Sequence, residues 1–290
     1  MHIPVLQKEV IQYLDPKPNQ NFIDCTIGEG GHSLAITERI SPNGRVLGID
    51  WSPELIQELK IKNNLVLVCD NFVNLRSVVE KYKFKPIHGI LFDLGMSSWH
   101  LEESGKGFSF QREEPLDMRY NLQNQLTAEK ILNYWSKFEI EKILKEYGEE
   151  KFARQIAKVI IEERKIKPIK NTLQIVEIIK KAVPKRYLDQ KIHFATRTFQ
   201  ALRITVNDEL NNLKKALPQA LEILEPKGRL VVISFHSLED RIVKNFFKQQ
   251  TREGLPKIKI LTKKPIRPSI EEIKINPRSR SAKLRAAQKL

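Results

Sequence analysis

An α/β doubly wound fold, Rossmann-like, with an inserted all-helical subdomain is expected from three observations. Short apolar runs alternate with amphipathic stretches over the first hundred residues. That rhythm stops for about a hundred residues that show helical spacing and no strand signal. It then returns once more before a basic end. Continuous apolar strands alternating with helices indicate a parallel sheet covered on both faces.

The elements follow in order. Residues 21–27 read as a strand, 33–40 as a helix and 45–50 as a second strand. A helix over 53–60 starts with Ser52 as its cap and Pro53 in the first turn, where proline is tolerated. Residues 65–69 form strand three, 72–82 a helix and 87–93 strand four. The segment 95–115 is rich in Gly, Ser and charge, with Trp99, Phe108 and Phe110 among them. Helices are expected over 127–135, 139–147, 149–164 and 172–183; in the third, Phe152, Ile156, Val159 and Ile160 fall on one face. A long helix over 208–224 leads through Pro226-Lys227-Gly228 to a strand over 229–235, and a helix over 238–249 follows. Residues 257–261 suit an antiparallel edge strand, and 276–290 a basic tail partly ordered against the sheet. The domain limits expected are 1–104 and 199–290 for the α/β part and 105–198 for a substrate-binding insert.

With 290 residues, 41% apolar and 29% charged, the chain has enough material for a real core and a heavily ionised surface. No apolar run approaches the ~20 residues of a membrane span, and the first ten residues have no secretory pattern. Cys25 and Cys69, each placed in a strand expected to be buried, make neither a disulfide framework nor a zinc site. No metal is expected, and a reducing cytoplasm is the simplest compartment. The net charge of +15 is unevenly spread: residues 244–290 carry 14 Lys and Arg against Glu253, Glu271 and Glu272. Such an excess suits a polyanion, although a solvated basic tail is the plain alternative.

In an open α/β sheet, ligands bind beyond the carboxyl ends of the strands. Strand one is followed by Thr26-Ile27-Gly28-Glu29-Gly30-Gly31-His32, where glycine lets backbone approach a ligand closely. Asp50 ends strand two, placed to accept hydrogen bonds from ribose hydroxyls, and Phe72 follows strand three, where a ring can lie along adenine. Asp93 ends strand four. A nicotinamide or flavin site would put Gly or Ala at position 33, which is Ser, and no P-loop is present. A carboxylate after strand four suits a nucleoside with a charged, non-phosphate tail, which S-adenosylmethionine is. On spacing alone a methyltransferase is favoured over a dehydrogenase, and both stay open.

Longer motifs carry a resemblance. They are His2-Ile3-Pro4-Val5-Leu6, Gly28-Glu29-Gly30-Gly31-His32-Ser33, Asp93-Leu94-Gly95-Met96-Ser97-Ser98, Gly107-Phe108-Ser109-Phe110 and Pro115-Leu116-Asp117-Met118-Arg119. They continue with residues 196–203, 206–210, 233–241 and 276–285. Together they resemble the small-subunit ribosomal RNA methyltransferase H family, also called MraW, over essentially the whole chain. The resemblance implies an S-adenosylmethionine-dependent enzyme that methylates N4 of a cytidine at the decoding centre, in the P-site region of 16S rRNA, with the small ribosomal subunit as partner. Cofactor contacts would fall on Gly30, Gly31, His32, Asp50, Phe72, Asp93 and His100. Here the chain departs from the family at Trp99-His100, where Pro-Gln is common, and at Trp51, often basic there.

Methyl transfer asks for positioning and for an acceptor at the target amine; Asp93 is the catalytic candidate. Phe108, Phe110 and Trp99 are candidates to grip a flipped base, against the plain reading that the two Phe pin their loop to the core. Asp117 and Arg119 suit an ion pair, and His236 either braces its loop or meets substrate. His2, His88 and His193 are read as structural or surface residues. Phosphate contacts are expected from Arg197, Arg203, Arg278 and Arg280, with Lys283 and Arg285 beside them. A nucleic-acid methyltransferase with another target, and a ribosome-assembly factor using the cofactor only as a ligand, are the competing functions.

Overall fold

A computed structural model describes residues 3–59, 64–252 and 255–290. His2, Lys60 and Glu253 lie outside the described residues. The chain forms two compact units: residues 1–95 with 210–290, and residues 96–209.

The first unit is built on one seven-stranded sheet. Its strands are β1 (Phe22–Asp24), β2 (Val46–Asp50), β3 (Leu65–Cys69), β4 (Gly89–Asp93), β5 (Arg229–Ser234), β6 (Ile258–Ile260) and β7 (Lys283–Lys289). They lie in the order β3-β2-β1-β4-β5-β7-β6. The first five are parallel, and β7 runs antiparallel to both neighbours. This is the doubly wound, Rossmann-like fold expected. The order reverses between β1 and β4, so their carboxyl ends form the crevice in which such sheets take ligands.

The helices of this unit that precede the helical insert are α1 (Gln7–Leu14), α2 (Gly31–Ile40), α3 (Pro53–Glu58) and α4 (Leu75–Lys81). Two apolar clusters cover the sheet's faces, one around Ile23, Leu47, Phe92 and Val232, the other around Phe22, Ile36, Leu91 and Ile233. Adjacent strand residues enter opposite clusters, as the two-residue period of a strand requires. Ser52 caps α3 as expected, its Oγ accepting the Leu55 N–H.

The second unit is helical: α5 (Ser98–Glu102), α6 (Ala128–Tyr134), α7 (Lys137–Glu146), α8 (Ala153–Ile166), α9 (Thr172–Ala182), α10 (Lys185–Leu188) and α11 (Thr196–Asn207). Its limits of 96 and 209 lie outside the expected 105–198. The physical reason is its core: Met96 and Leu101 before, and Phe199, Leu202 and Val206 after, join Ile131, Ile140, Ile156 and Ile179. Asp208, with φ at 51°, separates α11 from α12 (Glu209–Ile223). Beyond them α13 (Ser237–Gln250) and α14 (Ile270–Ile275) complete the chain's helices among the described residues.

Two expectations are corrected. Cys69 is exposed, at the open end of the edge strand β3, while Cys25 is buried. The basic end is more than a tail lying against the sheet: β7 is a strand within it, hydrogen-bonded between β5 and β6. Leu284, Arg285, Ala286 and Ala287 are all buried there.

Candidate active site and RNA-facing residues

The turn after β1 is shaped by its glycines. Gly28 and Gly30 have φ of 50° and 81°, and a Cβ on Gly31 would stand 2.3 Å from the Pro4 ring. The N-terminal segment therefore packs directly on the turn. That segment is held in turn by α14, because Glu272 accepts the Leu6 N–H at 2.7 Å and Asn276 donates to the Ile3 carbonyl at 3.1 Å.

Asp50, at the end of β2, accepts the Gly28 N–H at 3.0 Å on Oδ2 and the Ser52 N–H at 2.9 Å on Oδ1. Burial pushes its carboxyl above the usual range, against the pull of the Ser52, Gly28 and Trp51 N–H groups. With the Ser52, Gly28 and Trp51 N–H groups on its two oxygens, the carboxylate still has acceptor capacity for a hydroxyl. Phe72, half-buried after β3, meets Phe92 edge-on with ring centres 5.6 Å apart.

Beneath the turn lies a cluster of three titratable groups. Asp24 is fully buried; Ser33 Oγ donates to its Oδ2 at 2.8 Å and the Thr26 N–H to its Oδ1 at 3.3 Å. Burial pushes the Asp24 carboxyl up to about 6, partly countered by His32, Ser33 and Thr26. His32 Nε2 lies 3.4 Å from Asp93 Oδ2, an ion-pair distance longer than a well-formed hydrogen bond. Burial opposes the imidazolium, but Asp93, Asp24 and Glu272 outweigh it and His32 titrates above its ordinary value. Thr26 Oγ1 accepts the Asp93 N–H at 2.7 Å, fixing the end of β4 to the turn after β1. Asp93 Oδ1 and His32 Nδ1 are buried without a hydrogen-bond partner. Unsatisfied buried polar atoms beside a glycine turn mark a place where a polar ligand completes the network. Gly30, Gly31, His32, Asp50, Phe72 and Asp93 thus gather at one end of one sheet, and these donors and acceptors fit S-adenosylmethionine. Asp24 and Thr26 escaped sequence reasoning, although a polar pair flanking the strand end was a usable signal.

His100 belongs to the helical unit. It is buried, with Nδ1 2.9 Å from Ser97 Oγ and 3.2 Å from the Ser97 N–H that it accepts. Trp99, Phe108 and Tyr120 surround its ring edge-on. Phe108 is 4% exposed and lies near-parallel to Tyr120. That burial corrects its expectation as a base-gripping ring, since no nucleobase reaches a face packed into a core. Phe110 is half-buried, stacked on His193 with centres 4.4 Å apart and edge-on to Phe199.

The basic candidates divide. Arg203 is buried, and its Nε and Nη2 donate to both oxygens of Glu209 at 2.8 and 2.9 Å, so it is a structural pair and not the phosphate ligand expected. Arg197 is half-buried and donates to the Glu149 carbonyl. Lys283 and Arg285 lie on β7 and both contact Asp240 on α13. Arg278 and Arg280 are exposed, on the short 3₁₀ turn Pro277–Ser281. Asp117 and Arg119 form the expected ion pair, bidentate at 2.7 and 2.8 Å. His236 caps α13, accepting the Glu239 N–H, while Nε2 lies 3.1 Å from Glu239 Oε1. His88 Nδ1 accepts the Asn21 N–H, a structural contact.

Over residues 1–290 the chain matches the MraW methylase family. The Ribosomal RNA small subunit methyltransferase H of Heliobacterium mobile is 48% identical, covering 100% of this chain and 99% of its own. The proteins of that name from Heliobacterium modesticaldum and Thermosipho melanesiensis are 46% and 48% identical, each covering 100% of this chain and 98% of its own. With matches that run through both compact units, and with a sheet end whose residues fit S-adenosylmethionine as the methyl donor, the chain belongs to the MraW methylase family.

Proposed function

We propose that this chain methylates N4 of a cytidine in the decoding centre of small-subunit 16S rRNA. The observation that carries the reading is near-50% identity, over full length, to proteins named for small-subunit rRNA methylation. Acidic strand ends and a glycine turn, suited to a nucleoside donor, support it independently.

The Gly30-Gly31-His32 turn holds the donor's amino-acid end, Asp50 its ribose and Phe72 its adenine face, and His100 is a further contact that the resemblance implies. When bound, S-adenosylmethionine supplies an electrophilic methyl group on a sulfonium. The N4 amine is a weak nucleophile because its lone pair is delocalised into the ring, so an acceptor at the amine hydrogen raises its reactivity. Asp93 is the residue assigned to that role. Its Oδ2 faces His32 and its Oδ1 has no hydrogen-bond partner, leaving lone pairs for donor and target amine alike. Thr26 and His32 act through Asp93 by fixing its backbone and one oxygen. The helical unit is the substrate-binding part, with Phe110 and Arg197 as its half-buried contributors, and Arg278 and Arg280 contribute from the 3₁₀ turn.

The test is transfer of labelled methyl from S-adenosylmethionine to unmethylated small subunits and to protein-free 16S rRNA, followed by nucleoside mass spectrometry. N4-methylcytidine is expected on the subunit. Asp50→Ala should weaken donor binding roughly 10- to 100-fold, the worth of a charge-assisted hydrogen bond. Label on a different base would replace the target. No label from the wild-type protein, with donor binding intact, would return the assembly-factor function.

A further inference from the structure

We propose that residues 180–197 of the helical unit form a docking surface for unpaired RNA, with exposed cations for phosphates and the exposed edge of His193, held between two Phe rings, for a base edge. The proposal rests on the reading of rRNA as substrate and adds where the strand is held. Charge is the first observation. This stretch carries Lys180, Lys181, Lys185, Arg186, Lys191 and Arg197 against Asp189 alone. It is a second basic island, apart from the one after Lys244, in a remainder of the chain that is otherwise close to neutral.

Availability is the second. Lys180 and Lys181 pair with Glu177 and Glu163, and Arg197 reaches the Glu149 carbonyl. Lys185, Arg186 and Lys191 are exposed and have no acidic partner among the described residues. Their carrier is fixed to its own core. Between Arg186 and Leu188, Tyr187 is buried and its hydroxyl donates to both oxygens of the buried Glu150 at 2.9 and 2.8 Å. Phe152 meets that ring edge-on at 4.8 Å. Cations held on an anchored turn lose little extra freedom when a phosphate binds, which long side chains on a loose loop would not manage.

The stack is the third observation. His193 is exposed, yet Phe110 lies on it at 4.4 Å and 5° and Phe194 at 4.3 Å and 27°. Both Phe rings are half-buried, and Phe110 is backed by Phe199. Nδ1 of His193 accepts the Ala195 N–H at 3.2 Å, so the ring hydrogen sits on Nε2 and is available as a donor. Burial lowers the His193 pKa, which favours the neutral ring. The two Phe rings cover the faces of His193 and fix its plane, so what it offers a base is the Nε2–H donor at its exposed edge, and an unpaired base has its edges free to accept it. A duplex hides its bases and would use only the cations.

The probe is a short fluorescein-labelled single-stranded RNA, compared with the same sequence closed into a hairpin stem, titrated against the full-length protein. Reversing Lys185, Arg186 and Lys191 together to Glu should weaken single-strand binding at least 10-fold and flatten its salt dependence by about two in log–log slope, at ~0.7 per phosphate. His193→Ala should cost roughly 3- to 10-fold on the single strand, the worth of one hydrogen bond, and little on the stem. Lys142→Glu with Lys145→Glu, exposed on α7, controls for general charge, and far-UV circular dichroism with thermal unfolding reports that each variant is folded. Equal losses in the control, or wild-type affinity in the triple variant while the wild-type protein binds and methylates rRNA, would overturn the surface alone. A wild-type protein that neither binds the probe nor methylates rRNA would overturn the substrate reading with it.

Discussion

Asp24 is the residue whose environment most departs from its chemistry in water. A carboxyl that titrates at about 6 when folded and near 3.9 when unfolded binds its proton more tightly in the native state. Its stabilising contribution is complete below about pH 4 and is lost as pH rises through 6, a difference of roughly 3 kcal/mol. His32, also raised, acts in the same direction at somewhat higher pH. Asp24→Asn removes the titration while keeping an acceptor for Ser33. Compared by urea unfolding of the cofactor-free proteins, the variant should gain on the wild type by roughly 3 kcal/mol between pH 4 and pH 7. A difference that does not move with pH would mean that Asp24 is ionised throughout. The placement of Gly30, Asp50, Phe72 and Asp93 at the carboxyl end of the sheet was legible, because each follows or ends an apolar strand run. Phe108 and Arg203 were not, since an aromatic ring in a loop and an Arg beside a motif look alike whether they face a core or a ligand. Only the Tyr120 ring and the Glu209 carboxylate decide between the two.

Among elements, the parallel strands were readable from their apolar runs, and β7 was not. Its Lys-Leu-Arg-Ala-Ala-Gln-Lys sequence has neither β-branched residues nor alternation. It is a strand because β5 and β6 pair with it on either side and because α13 offers Asp240 to its cations. Arg285 Nε donates to Asp240 Oδ1 at 2.6 Å, and Lys283 lies 3.4 Å from Oδ2. Burial alone would raise the Asp240 carboxyl; Arg285 and then Lys283 outweigh it and hold it below the usual range. Asp240→Ala would leave Arg285 buried without its counter-charge, a loss of about 3 kcal/mol. Adding Arg285→Met should recover most of that loss, because the second change removes the stranded charge. Chemical unfolding of the two variants checks both steps; a double variant as unstable as the single one would show that the pair's packing, and not its charge, holds β7. The α1 helix was missed for a different reason: Val10 and Leu14 do fall one turn apart, but its eight residues are fewer than the stretch over which helical periodicity is read.

On the scale of the whole molecule, charge separates the donor site from the proposed RNA surface. The net +15 is concentrated in residues 180–197 and 244–290, while the donor residues at the sheet end are carboxylates, glycines, an imidazole and an aromatic ring. Binding a small nucleoside through such groups releases few counterions, so its affinity should change little with salt. RNA is different, because each neutralised phosphate frees condensed cations and steepens the salt dependence. Five exposed cations, Arg278 and Arg280 on the 3₁₀ turn and Lys185, Arg186 and Lys191 on the helical unit, set the scale. Taking ~0.7 per phosphate, the log–log slope is about −3.5, so raising monovalent salt from about 50 to about 200 mM should weaken single-strand binding roughly 100-fold. S-adenosylmethionine affinity should stay within about two-fold over the same range. Calorimetry for the donor and fluorescence anisotropy for RNA make the comparison on one protein preparation. A flat RNA response would mean that the basic islands are solvated surface and that the strand is held by stacking and base contacts. A steep donor response would instead mean that the carboxylates at the sheet end act on the donor's charge over long range.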